Sequence, residues 1–339
     1  VSQFINKRYL QCMTVFENYL AEVKRVMTEY EITELMVYAA PVFIGLIVLE
    51  IIFSLKYNPT LYKWKDLATS GTMGIGAAVL AGGAKIFSLI LFSIVYIIFN
   101  PEDSEGMRHN IMGGWAAFGL GTWYIWLICQ VLDDFSYYMV HRANHEVRFL
   151  WAAHIVHHSS DHFNLGTAVR NGWVTLFYKP FFYMWICAIG FHPIMLMTCL
   201  SIEAFWQYQL HIQWMPRFGF LEKIFNLHKH HEVHHSSNIE YLDKNHGGYL
   251  ILFDRLFGTF KDKDDSKAIT YGVLHPPKSH NPVEVLTHEY VHIWQDVMKA
   301  ETWKGRFMYV FGPPGWTEDG TGKTTKMMQA ELAELKKAA

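Results

Sequence analysis

Residues 36–55, MVYAAPVFIGLIVLEIIFSL, hold a single charged side chain, Glu50. An apolar run of that length, coiled as a helix, matches the hydrocarbon thickness of a bilayer. Inside lipid a backbone must satisfy its own N–H and C=O groups, which leaves an open chain little choice but the helix. Further apolar runs follow at 69–99, 112–131, 173–190 and 193–213. The run at 69–99 is broken by glycines and Lys85, and is expected to cross once with a bent or re-entrant start. The last two turn at Phe191-His192-Pro193. The expected fold is an all-α integral membrane protein with about four transmembrane helices.

Charge sets the orientation. If the chain crosses about four times, 132–172 and 214–339 fall on one side. That side carries Arg142, Arg148, Arg170, Arg217, Lys223 and Lys229. A basic bias marks the cytosolic face, in a bacterial inner membrane or the endoplasmic reticulum. A formal net charge of −2 gives no basic surface for nucleic acid. The division expected is an amphipathic extramembrane segment at 1–35, a membrane and catalytic domain at 36–260, a cap at 261–316 and a polar tail at 317–339. The first segment lacks the order of a cleavable signal peptide.

Histidine is the compositional outlier, with 19 in the chain, and it clusters. His141 and His145 are four residues apart, and His154, His157 and His158 follow as HxxHH. A second HxxHH, at His231, His234 and His235, comes after the later apolar pair. Residues three and four apart share one helical face, so each cluster can aim its imidazoles together. Neutral imidazole suits iron, zinc or copper and does not suit magnesium or calcium. Eight imidazoles exceed what one tetrahedral zinc uses, which makes two metals the natural count. Asp134, seven residues before His141, is placed to orient a ligand imidazole. A lone histidine is more often packed than ligating; three clusters at one end of membrane helices are a different matter. His228 and His230 break the spacing.

The segments DFSYYMVHRANHEVRFLWAAHIVHHSSDHFNLGTAVR from Asp134 and HEVHHSSN from His231, with DKNHGGYL and FDRLFGTF, resemble the fatty acid hydroxylase/sterol desaturase superfamily. Glu146, Asn164-Leu165 and the stretch from Tyr271-Gly272 to His275-Pro276 are most similar to its branch that opens alkyl ethers of glycerol. The resemblance covers roughly residues 35–316. It implies a membrane di-iron oxygenase acting with dioxygen on a lipid's alkyl chain or rings. The implied ligands are His141, His145, His154, His157, His158, His231, His234 and His235, with His211 as a ninth. Glu146 matches an acidic position of the family, as a ligand or a neighbour of one. His246 stands where relatives carry an aromatic residue. Electrons would come from a donor protein or a reduced pterin, tetrahydrobiopterin in that branch. Relatives with the same ligands also desaturate, which keeps a lipid desaturase as an alternative.

One motif competes. His288-Glu289-Tyr290-Val291-His292 is a literal HExxH, the pattern of a zinc metallopeptidase. It lacks an evident third ligand and leaves the three earlier clusters unexplained.

Overall fold

The computed structural model describes residues 13–14, 17–21, 23–25, 27–28, 35–101, 122–277 and 279–338. Among them there is no strand, only isolated bridges joining Phe225 to Leu250 and Ser236 to Tyr271. Among the described residues two helices are long and apolar enough to cross a membrane: α1 (Leu35–Tyr57) and α2 (Trp64–Phe99). Only 22% of each apolar window is buried inside the protein. Ile44, Leu49 and Ile52 on α1, and Ile75, Val79, Ile86 and Ile90 on α2, stand exposed. Water would not tolerate a bare apolar band of that extent, whereas lipid does. The chain is an integral membrane protein.

The glycines of the second run do not break it. α2 is continuous over 36 residues, about 54 Å at the usual helical rise, so it outreaches a hydrocarbon core of about 30 Å. Gly76 is there for close approach. A Cβ at that position would lie 2.1 Å from the Trp173 ring, whose Nε1 donates to Met73 O at 3.1 Å.

Residues 112–121 of the third expected span lie outside the described residues. The remainder enters α3 (Trp123–Glu146), which runs on into the first histidine pair. The run at 173–190 is not one helix. It divides into Thr175–Tyr178, a 3₁₀ turn at Lys179–Phe182 and Met184–Ala188. Pro180 has no N–H to continue the helical ladder, and its ring crowds the preceding turn. The following helix, numbered α5 below (Pro193–Gln209), starts with proline at its first position. His192 Nδ1 accepts from Ile194 N–H at 3.2 Å as its cap.

Val147 takes an extended conformation and ends α3, so α4 (Arg148–His158) turns back against it. α5 packs on α3, and α6 (His228–His234) follows. The core between α2, α3 and α5 comprises Phe92, Tyr96, Cys129, Ile186, Met195, Leu196 and Cys199. A buried ion pair, Arg170 Nη1 to Asp66 Oδ1 at 2.6 Å, ties α2 to the loop after α4. Beyond these, α7 (Leu252–Phe257) leads to α8 (Pro282–Lys299), which lies on α4. The polar tail is anchored as well. In α9 (Thr325–Ala338), Gln329 Nε2 donates to Ile239 O and Leu242 O at 3.1 and 2.9 Å.

Candidate metal centre

The ends of α3 and α4, the second residue past α5 and the helix α6 meet at one place. Their imidazoles form two adjoining groups. His141, His145, His154, His158 and His234 make one; His157, His211, His231 and His235 make the other. Within each group the ligand atoms lie within 4.8 Å of one another, and all nine residues except His154 are buried. His157 and His158, adjacent in sequence, fall into different groups because neighbouring residues on a helix point about 100° apart.

Outer partners fix the direction in which these rings face. Nδ1 of His141 donates to His246 O at 2.9 Å, Nδ1 of His145 to Asp243 Oδ1 at 3.1 Å, and Nδ1 of His234 to Lys244 O at 2.8 Å. In the other group Nδ1 of His157 donates to Arg170 O, and Nδ1 of His211 to Gln207 O, both at 3.1 Å. Carbonyl and carboxylate oxygens only accept, so the proton sits on Nδ1 and the Nε2 lone pair faces inward. Inside the groups, Nε2 atoms approach in pairs. His141 and His154 are at 3.0 Å; His154 and His158, His157 and His211, and His211 and His231 are each at 3.2 Å. Two nitrogens about 2.1 Å from one ion and at right angles lie about 3.0 Å apart, so the spacing fits a metal. Nε2 of His145, His234 and His235 are buried with no hydrogen-bond partner. Burial, reinforced by the other imidazoles, holds His141, His158, His231, His234 and His235 well below the ordinary histidine value, and His157 at about 4. They are neutral at physiological pH, the form that binds metal.

One short turn does much of this positioning. Asp243 and Asn245 adopt positive φ, 53° and 59°, which Asp and Asn tolerate better than most residues. The Asn245 side chain locks the turn by donating to His230 O and Lys261 O. Residues 243–246 then supply the Asp243 carboxylate and two carbonyls to three histidines of the first group. The sequence had singled out this stretch only as DKNH and had not assigned Asp243 a role. A carboxylate inside a short irregular turn carries no periodicity that would reveal it.

The two carboxylates expected beside the metal site stand elsewhere. Glu146 is 43% exposed and pairs with Arg142 Nε at 3.0 Å. It follows His145 directly and therefore points away from the inner face. Among the described residues Asp134 makes no hydrogen bond to an imidazole. Its oxygens accept from Tyr249 N and Leu250 N at 2.6 and 3.0 Å, so it holds the 248–250 loop, while a backbone carbonyl takes the His141 Nδ1 it was expected to receive. His246 flanks the first group, its ring 4.9 Å from that of His145, but stays outside the set of converging nitrogens.

The HExxH residues gather no third ligand among the described residues. Glu289 accepts from Arg148 Nε at 2.8 Å, His288 Nδ1 donates to Val285 O, and His292 is 56% exposed.

The membrane body thus gathers nine imidazoles at the ends of its helices. Residues 126–259, which contain all nine, match the fatty acid hydroxylase family model. It is 33% identical to alkylglycerol monooxygenase of Homo sapiens over 315 residues, 90% of this chain and 64% of the relative. The Danio rerio alkylglycerol monooxygenase is 33% identical over 291 residues, 86% and 61% of the two chains. Ornithine lipid hydroxylase OlsE of Rhizobium tropici is 27% identical over 151 residues, 42% and 44%. The chain thus spans about three fifths of the alkylglycerol monooxygenases it matches. No solved structure is a significant match.

Proposed function

We propose that this protein is a di-iron oxygenase that hydroxylates a lipid alkyl chain, at the carbon beside the ether oxygen when the lipid is an alkylglycerol. The observation that carries the reading is the pair of adjoining imidazole groups with inward nitrogens. His141, His145, His154, His158 and His234 would hold one iron, and His157, His211, His231 and His235 the other. When bound, the irons would supply the electron transfer and dioxygen activation that C–H oxidation requires. The chain's own residues hold the ligand rings in one tautomer and keep water from the inner face. Phe163 stacks on His211 and on Tyr271 and gives that side an apolar wall. A carbon bearing both a hydroxyl and an ether oxygen collapses to an aldehyde and a free alcohol, which would open the ether.

In this reading the reductant is a reduced pterin such as tetrahydrobiopterin, or an electron-donor protein. The chain crosses about four times, in a bacterial inner membrane or the endoplasmic reticulum, with the histidines facing the cytosol. Residues 36–260 form the catalytic body, 261–316 cap it, and 1–35 and 317–339 are peripheral.

Metal content of protein purified without chelators, followed by aldehyde release from a 1-O-alkylglycerol under dioxygen, tests the proposal. About two irons per chain and aldehyde that depends on both dioxygen and reductant are expected. One zinc, lost when His288 and His292 are both replaced by alanine, would overturn it.

A further inference from the structure

α3 and α5 carry polar residues one helical turn apart that run in parallel toward the two imidazole groups. On α3 they are Cys129, Asp133, Tyr137 and His141; on α5 they are Cys199, Glu203 and Gln207, with His211 one turn on, just past its end. Cys129 meets Cys199, and the Asp133 carboxyl faces that of Glu203. Both carboxylic residues are fully buried. Neither Glu203 oxygen nor Asp133 Oδ1 has a hydrogen-bond donor, although Asp133 Oδ2 accepts from Gln130 Nε2 at 3.0 Å. The Tyr183 hydroxyl, also buried and without a partner, faces the same pair.

The other titratable groups around the pair are Lys179 from the 3₁₀ turn, Asp134 and Tyr137 on α3, Cys199 on α5, and Tyr249 from the loop after α6. Asp134 is satisfied by its backbone donors, and Lys179 is the cation beside the pair among the described residues. Two adjacent buried carboxylates that share a single side-chain donor cannot both ionise cheaply, because each charge loses its hydration and repels the other. With one proton between them the pair carries a single negative charge, which Lys179 balances.

We propose that Asp133 and Glu203 hold one exchangeable proton between them and form the proton store of the histidine centre. This rests on the oxygenase reading. Hydroxylation by dioxygen takes two electrons from the reductant and two protons, breaks the O–O bond and leaves one alcohol and one water. Eight of the nine histidines are buried, so a proton source inside the protein and beside them can serve the centre. Asp133 stands eight residues before His141 and Glu203 eight before His211, so the pair lies two helical turns, about 12 Å along each helix, from both imidazole groups. Lys179 is partly exposed, its Nζ 5.0 Å from the Tyr137 ring centre, and marks the side on which the store is refilled.

Infrared difference spectroscopy on the full chain at neutral pH, in H₂O and D₂O, reads the C=O stretch of a protonated carboxyl without any turnover. Glu203→Gln should lose one deuterium-sensitive band of this kind, and Asp133→Asn should lose the same band, with metal content unchanged in both. A band retained in both variants overturns the proposal. In turnover, Glu203→Gln should fall about 10²-fold, the scale of one lost proton donor, and Glu203→Asp should recover most of it; full turnover in Glu203→Gln also overturns it. A wild type with no oxygen-dependent turnover would sink the oxygenase reading instead, and the infrared result would still decide whether the pair holds a proton.

Discussion

The chain carries histidines at helical spacing in two places, and only one of them converges. His288 and His292 on α8 share a face, as do His141 and His145 on α3. On α8 the intervening glutamate is engaged by Arg148, one imidazole is exposed and no third ligand arrives. At the α3 end, three other segments contribute rings, and oxygens behind them fix their tautomers. Spacing makes a face, but a centre needs partners in front of the rings and acceptors behind them.

The comparison breaks most easily at the ligands. His157→Ala removes a ring from one group and His234→Ala from the other. Each should abolish activity and lower bound metal, measured per chain in detergent, while the protein still inserts. Full metal content in both variants would remove the distinction between the two regions. Next in size is the Arg170–Asp66 pair, whose arginine also offers its carbonyl to His157. Arg170→Met leaves Asp66 buried and uncompensated, and should destabilise the protein by about 3–5 kcal/mol. Denaturation in detergent checks this, and an unchanged midpoint would contradict it.

Asp243→Ala removes an acceptor and no ligand. Metal affinity should fall about 10–100-fold in a competition titration against a chelator, with the fold intact. An affinity equal to wild type would mean that Asp243 does not orient His145. The smallest effect is expected from His288→Ala combined with His292→Ala. Metal content and turnover should both stay at the wild-type level, and loss of a metal would restore α8 as a rival site.

Much of the histidine centre was legible beforehand because each ligand cluster is a local pattern. The i, i+3, i+4 spacing is a property of one helix turn and survives any arrangement of helices around it. His211 carried no such pattern and entered through the family resemblance alone. Asp134 and Glu146 were misplaced for related reasons. Helical periodicity gives the direction of a side chain relative to its own helix, but not what lies opposite. The 248–250 loop lies opposite Asp134, and Arg142 lies beside Glu146. The apolar run at 173–190 was misjudged because composition weighed more than the one proline that divides it.

By itself the sequence determined the helical membrane body and the face on which each histidine cluster lies. These follow from hydropathy and from the helical repeat, both encoded within a few turns of chain. Only the tertiary structure decided that nine rings divide into groups of five and four, and that His157 and His158 serve different groups. It alone showed that a turn with two left-handed residues supplies the acceptors for three of them. Those outcomes depend on which segments, far apart in the chain, are packed into contact, and the helical repeat carries no information about that.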